Sequence, residues 1–250
     1  MLPDADQWRA LARSSPWLWH SLHAEIHLPQ PDPAAPAAPL EVWLRKPGDV
    51  RVEGRRELAP GSTTYRAAGQ HRGRQPQDDE PLWRPDGLVA ARAPRHLVED
   101  DHGLYFHNYY WIALLDPVEL ADGVAPDHPG ETTVPVAGVE VSGLAVTERH
   151  DRETWWAQVS PTPAYDPRCS CCPLLDAEDL AREEWGDARV DAMQADGRVY
   201  ARTWLVGLDR QSGICVSVAA LDGSDPPAGS GGHSMRILGV DETMPGALFG

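Results

Sequence analysis

Three shortages bound what this chain of 250 residues can be: it has no long apolar run, few cysteines and few positive charges. A bilayer-spanning helix needs about 20 consecutive apolar residues, and no stretch approaches that. The opening Met1 to Gln7 carries neither a basic n-region nor an apolar h-region. The expectation is therefore a soluble, cytoplasmic protein. Lys and Arg together number 22 against 38 Asp and Glu, a formal net charge of −16. Such a surface repels polyanions before specific contacts form, which argues against nucleic acid and anionic membranes as partners. Four cysteines fall well short of a disulfide scaffold, and reduced thiols are the default state in a reducing compartment.

Several catalytic signatures are missing too. The pair His150-Asp151 has no elbow-type serine to serve, so a hydrolase triad has no support. The stretch Ala228 to His233 is Gly/Ser-rich but lacks the Lys and following helix of a phosphate loop. The acidic runs Gln77 to Glu80 and Glu99 to His102 follow no calcium-loop spacing and read as solvated turns.

What the chain does have is strand alternation. Leu22, Ala24, Ile26 and Leu28 alternate with His23, Glu25 and His27, and Leu40 to Arg45 forms the return strand. A Pro/Ala-rich surface loop, residues 29–39, joins the two. Lys46 to Asp49 is a turn into Val50 to Glu53. Val139 to Thr147 and Thr154 to Val159 read as a hairpin around a charged turn. Val199 to Asp209 and Ile214 to Leu221 form another around Arg210 to Gly213, followed by His233 to Val240 after a flexible 222–232 loop. Asp196-Gly197 is a strong hairpin dipeptide between Arg189–Met193 and Arg198–Tyr200. Residues 54 to 110 are least legible and read as strands joined by long loops. Short helices are expected over Asp6 to Ser14, capped by Asp4 or Asp6 and stopped by Pro16. Others are expected after an Asp116 cap with Pro117 at the first position, and over Asp176 to Trp185 with Asp176 as cap and Gly186 as the end. The fold class is thus mainly β, one antiparallel domain over residues 1–250 with a few short helices.

The order of these elements resembles the LolA-like lipoprotein-carrier superfamily. The likeness rests on the leading helix and on Val42-Trp43-Leu44-Arg45-Lys46-Pro47-Gly48-Asp49-Val50-Arg51-Val52-Glu53. A helix near Leu114-Leu115-Asp116-Pro117, the segment Leu208-Asp209-Arg210-Gln211-Ser212-Gly213-Ile214 and the terminal Leu248-Phe249 complete it. That superfamily includes lipoprotein-localisation carriers, lipid-transfer lipoproteins and sensor domains of sigma-factor regulators. The resemblance implies a curved antiparallel sheet forming an unclosed half-barrel, with short helices lidding a concave face that can hold acyl chains.

Two functional expectations follow. The first is a non-enzymatic binding protein whose concave apolar face takes a hydrophobic small molecule or a protein partner, with Trp43, Trp156, Trp204 and Val206 as representative lining. Trp155 and Trp156 support it, because neighbours on a strand face opposite ways and both faces must then be covered. The second starts from Cys169-Ser170-Cys171-Cys172, set between Pro167 and Pro173. Together with Cys215 in a predicted strand, these thiols could supply a four-coordinate zinc site in a metal- or redox-responsive protein. A C-x-C-C spacing lacks the two-residue gap of the usual zinc knuckle. A disulfide from Cys215 to the cluster and free thiols packed as small hydrophobes are therefore the competing readings. Strand parity places Cys215 with Ser217 and Ala219, opposite Val216 and Val218. A catalytic thiol would need activation from the helix beginning at Asp176.

Overall fold

The computed structural model describes residues 2–27, 39–56, 59–66, 80–92, 109–124, 136–223 and 232–250. Among them the dominant element is one antiparallel sheet. Its strands are β1 (Ser21–His27), β2 (Leu40–Arg45), β3 (Asp49–Arg56), β4 (Ala59–Arg66), β9 (Val139–Arg149), β10 (Arg152–Pro161), β11 (Trp204–Asp209), β12 (Cys215–Ala220) and β13 (His233–Val240). The short pairs β5 (Leu82–Trp83) with β6 (Val89–Ala91), and β7 (Asp122–Gly123) with β8 (Val136–Ala137), stand apart from it. The large sheet runs β4-β3-β2-β1-β13-β12-β11-β10-β9, so the first and last strands of the chain meet near its middle. It does not close: β4 and β9 are its edges.

Among the described residues four helices accompany the sheet: α1 (Ala5–Leu18), α2 (Tyr109–Leu115), α3 (Glu178–Trp185) and α4 (Asp187–Ala195). α1 and α2 cover one face. Trp8 Nε1 donates to the Trp155 carbonyl at 3.2 Å, and Trp8, Leu11, Tyr110 and Leu114 share one core with Leu22, Val42, Val206 and Met235. The β11–β12 turn presses on α1 so closely that a Cβ on Gly213 would stand 2.7 Å from the Leu11 carbonyl oxygen, at a φ of +69°. The β9–β10 turn is the two-residue kind, with His150 and Asp151 both at positive φ (50° and 62°).

The expected strands are borne out as β1 to β3, β9 with β10, and β11 to β13; burial alternates along β1, β2 and β13, whereas the first four residues of β12 are all buried. The helices differ more. α1 opens on an Asp4–Gln7 capping box, but it runs through Pro16 to Leu18. The Arg13 carbonyl in this last stretch accepts from Arg92, whose Nε and Nη2 donate at 3.0 and 2.7 Å. Asp116 is not the N-cap of the turn that follows, a place Pro117 takes; its carboxylate pairs with Arg92 and Arg168. The apolar lead-in is itself the helix α2, and only a 3₁₀ turn, Val118–Leu120, follows Pro117. Asp176 likewise pairs with Arg198 rather than capping α3, although Gly186 does end that helix.

Asp196-Gly197 closes α4 rather than a hairpin. The Gly197 amide reaches the Gln194 carbonyl at 3.0 Å and the Arg198 amide reaches Met193 at 3.0 Å, with Gly197 at a φ of 96°. That is the Schellman pattern of a helix end. β11 accordingly begins only at Trp204, and Tyr200 packs with Ala181 and Val190 in a small second cluster. Leu28 of the first expected strand, residues 29–38 of the Pro/Ala-rich loop, 224–231 of the Gly/Ser-rich loop, 77–79, 99–102 and 105–108 lie outside the described residues.

Candidate thiol-cluster site

Between β10 and α3 the chain crosses the end of the core, and one buried carboxylate fixes its path. Glu119, in the 3₁₀ turn after α2, is almost wholly enclosed. Its Oε1 accepts from the Tyr165 hydroxyl at 2.6 Å and the Leu174 amide at 3.0 Å, and its Oε2 accepts from the Arg168 amide at 3.2 Å. The Tyr165 hydroxyl also accepts from the Leu175 amide at 3.2 Å. Leu174 and Leu175 are fully buried, so the loop is anchored by packing as well as by hydrogen bonds. Burial pushes the Glu119 carboxyl above its usual range, against the pull of Tyr165, the two amides and the Arg168 charge.

The segment between the two amides held by Glu119 is Cys169-Ser170-Cys171-Cys172-Pro173. With Arg168 and Leu174 fixed, it must loop outward. The Cys172 amide bonds back to the Cys169 carbonyl at 3.3 Å, a tight turn that folds the three thiols together. Cys169 Sγ lies 2.7 Å from Cys171 Sγ, Cys171 Sγ lies 3.8 Å from Cys172 Sγ, and all three sulfurs fall within 4.8 Å of one another. Cys171 is exposed while Cys169 and Cys172 are half-buried. Ser170 Oγ donates to the Glu184 carboxylate of α3, and the Arg168 guanidinium pairs with Asp116 at 3.1 Å.

The surroundings favour the protonated thiol at Cys171 and Cys172. Burial first, then the neighbouring Cys169 and Cys171, push the Cys172 thiol well above its ordinary range. The hydrogen bond with Cys169, then burial, raise Cys171, and the Glu184 charge adds to the effect. A nucleophilic thiol needs the opposite shift, so the helix following Asp176 does not activate Cys171 or Cys172. Multidentate capture of a thiophilic ion is within their reach, because three sulfurs can be bound in one step.

Of the sequence-derived metal candidates, the structure brings together Cys169, Cys171 and Cys172, and Cys215 does not join them. All four cysteines are free, so no disulfide links Cys215 to the cluster. Cys215 is 0% exposed in the core, its thiol facing the Ser217 carbonyl at 3.7 Å. Its face also differs from the parity expectation. A bulge in the β11–β12 register sets Cys215 opposite Leu208, while Ser217 lies opposite Gly207, and this extra residue turns Cys215 towards the covered face. Beside it the Tyr110 hydroxyl donates to His233 Nδ1 at 2.7 Å, and His233 Nε2–H donates to the Cys215 carbonyl at 2.6 Å.

The four candidate ligand-lining residues fall on two faces. Trp204 (3% exposed) and Val206 (0%) sit in the covered core. Trp43 stacks on His23 at 4.8 Å on the opposite face. There too, Trp156 lies across Gly207, its ring 2.9 Å from where a Cβ would stand, and donates to Thr147 Oγ1 at 2.8 Å. Sequence reasoning missed Glu119 and Tyr165. The signal was present as a carboxylate set among apolar residues between Pro117 and Ala121, a placement that requires partners. No helix among the described residues is long and apolar enough to cross a membrane. No family model matches the chain and no curated protein matches its sequence, so the LolA-like resemblance rests on its short motifs alone.

Proposed function

We propose that this protein is a non-enzymatic, thiol-based responsive protein. Its β-sheet body carries a three-sulfur loop, and capture of a thiophilic ion by Cys169, Cys171 and Cys172 is passed into the core through Glu119. The observation that carries this reading is the clamp: Glu119 accepts from the amides of Arg168 and Leu174, on either side of the cluster, while all three sulfurs lie within 4.8 Å. An ion that draws the sulfurs into one coordination sphere must alter the turn between those two amides. A rigid two-point attachment then delivers the change to Glu119 and, through Tyr165, to Leu175. Hydrophobic-ligand carriage in a half-barrel has less behind it, because Trp204 and Val206 are packed into the core while Trp43 and Trp156 lie on the other face.

The test is native mass spectrometry combined with hydrogen exchange, with zinc, cuprous ion and arsenite added in turn. The reading expects one ion per chain, bound by wild type and by Cys215→Ser but not by the Cys169/Cys171/Cys172 triple serine variant. Exchange at the Arg168 and Leu174 amides should slow on binding. Failure of every ion to bind would overturn the reading, as would binding that the triple variant retains.

A further inference from the structure

We propose that the ion this cluster selects is a trivalent metalloid, supplied as the neutral hydroxide of arsenic or antimony, and not zinc. The inference rests on the thiol-cluster reading above and names its ligand.

Donor count comes first. Structural zinc is almost always four-coordinate, yet the group of potential ligands found among the described residues contains three sulfurs and nothing else. Cys215 is sealed in the core, and the Ser170 hydroxyl is engaged by Glu184. A trivalent metalloid carries a lone pair where a fourth ligand would be, so three sulfurs complete its sphere. Spacing agrees. Three donors at about 2.3 Å from one centre sit roughly 4 Å apart when trigonal and somewhat closer when pyramidal. Cys171 and Cys172 are already at 3.8 Å, and the Cys169–Cys171 pair need only open from 2.7 Å.

Charge comes second. Three thiolates on a divalent or monovalent ion leave a net negative complex. The site lies beside the Glu184 carboxylate, whose charge acts on Cys171, in a chain of net charge −16. A tris-thiolate of a trivalent centre is neutral and adds no charge to that field. The reaction is a condensation without redox change. Three S–H bonds and three metalloid–oxygen bonds break, three metalloid–sulfur bonds form, and each thiol proton leaves with a hydroxide as water, giving three waters in all.

The experiment is a competition on the full chain. Arsenite is titrated with zinc or cuprous ion present at equal concentration, and X-ray absorption at the arsenic edge counts the sulfurs. Expected are one arsenic per chain, three sulfur neighbours and no oxygen, with Cys215→Ser unchanged. Single serine variants at Cys169, Cys171 or Cys172 should lose more than the about 10–100-fold that accompanies loss of an outer-shell partner. Zinc or cuprous ion held by the cluster and not displaced by arsenite would overturn the choice of ion and leave the thiol-cluster reading standing. No ion of any kind on these sulfurs would overturn both.

Discussion

The Tyr165 hydroxyl and the Glu119 carboxylate meet at 2.6 Å beneath the cysteine turn, both residues buried. The pair holds the three-cysteine loop to a buried frame. Removing Glu119 leaves the Tyr165 hydroxyl and the amides of Arg168 and Leu174 without their acceptor. At about 1–3 kcal/mol for a buried donor left unsatisfied, part of it recovered by water, Glu119→Ala should cost about 3 kcal/mol. Chemical denaturation would measure this, and a cost below about 1 kcal/mol would mean the clamp is not tight.

His233 provides a pH signature. Burial holds its pKa down to about 4, against the bond to the Cys215 carbonyl, and with both ring nitrogens engaged the imidazole is neutral. The unfolded chain therefore binds a proton near pH 6.5 that the folded chain takes up only near pH 4. This contribution to stability is complete above about pH 6.5 and is lost as the pH falls towards 4, amounting to about 3 kcal/mol. The stability–pH curves of wild type and His233→Gln should diverge over that window, the wild type falling more steeply on acidification. Parallel curves would remove His233 as a source of acid sensitivity.

Trp156 lies where it does because Gly207 has no side chain. A Cβ there would stand 2.9 Å from the ring, closer than carbon atoms pack, so Gly207→Ala must displace the indole or the strand. A cost of about 1–3 kcal/mol is expected, as for overpacking elsewhere. In a Trp156→Ala background the same change should cost far less. Equal costs in the two backgrounds would place the strain somewhere other than the ring.

Gly197 tests the end of α4. Its φ of 96° is one that a side chain resists, so Gly197→Ala should cost about 1 kcal/mol. A neutral or stabilising change by thermal denaturation would contradict the Schellman assignment.

Much of the sheet was legible because period-two alternation reports the burial of one strand face, as in Leu22, Ala24 and Ile26. The failures are equally physical. Asp-Gly serves both a hairpin and a helix end, and α4 has only Val190 buried, too little apolar periodicity to separate the two. Asp116 and Asp176 follow good local rules that distant arginines override: Arg92 and Arg168 take Asp116 and Arg198 takes Asp176, while α1 runs on past Pro16. The face of Cys215 was lost to a single bulge, which no alternation count reveals. Three of the four metal candidates are together because they are neighbours in sequence. The Glu119 clamp spans about fifty residues and needed the fold to be seen.

The most direct test of the central claim is a count of reactive thiols on the native protein, before and after one equivalent of arsenite. The account predicts three accessible thiols, with Cys215 reacting only on denaturation, and predicts that all three are protected together as the ion is added. Thiols protected one at a time, or Cys215 reacting alongside the others in the native state, would contradict a single three-sulfur site.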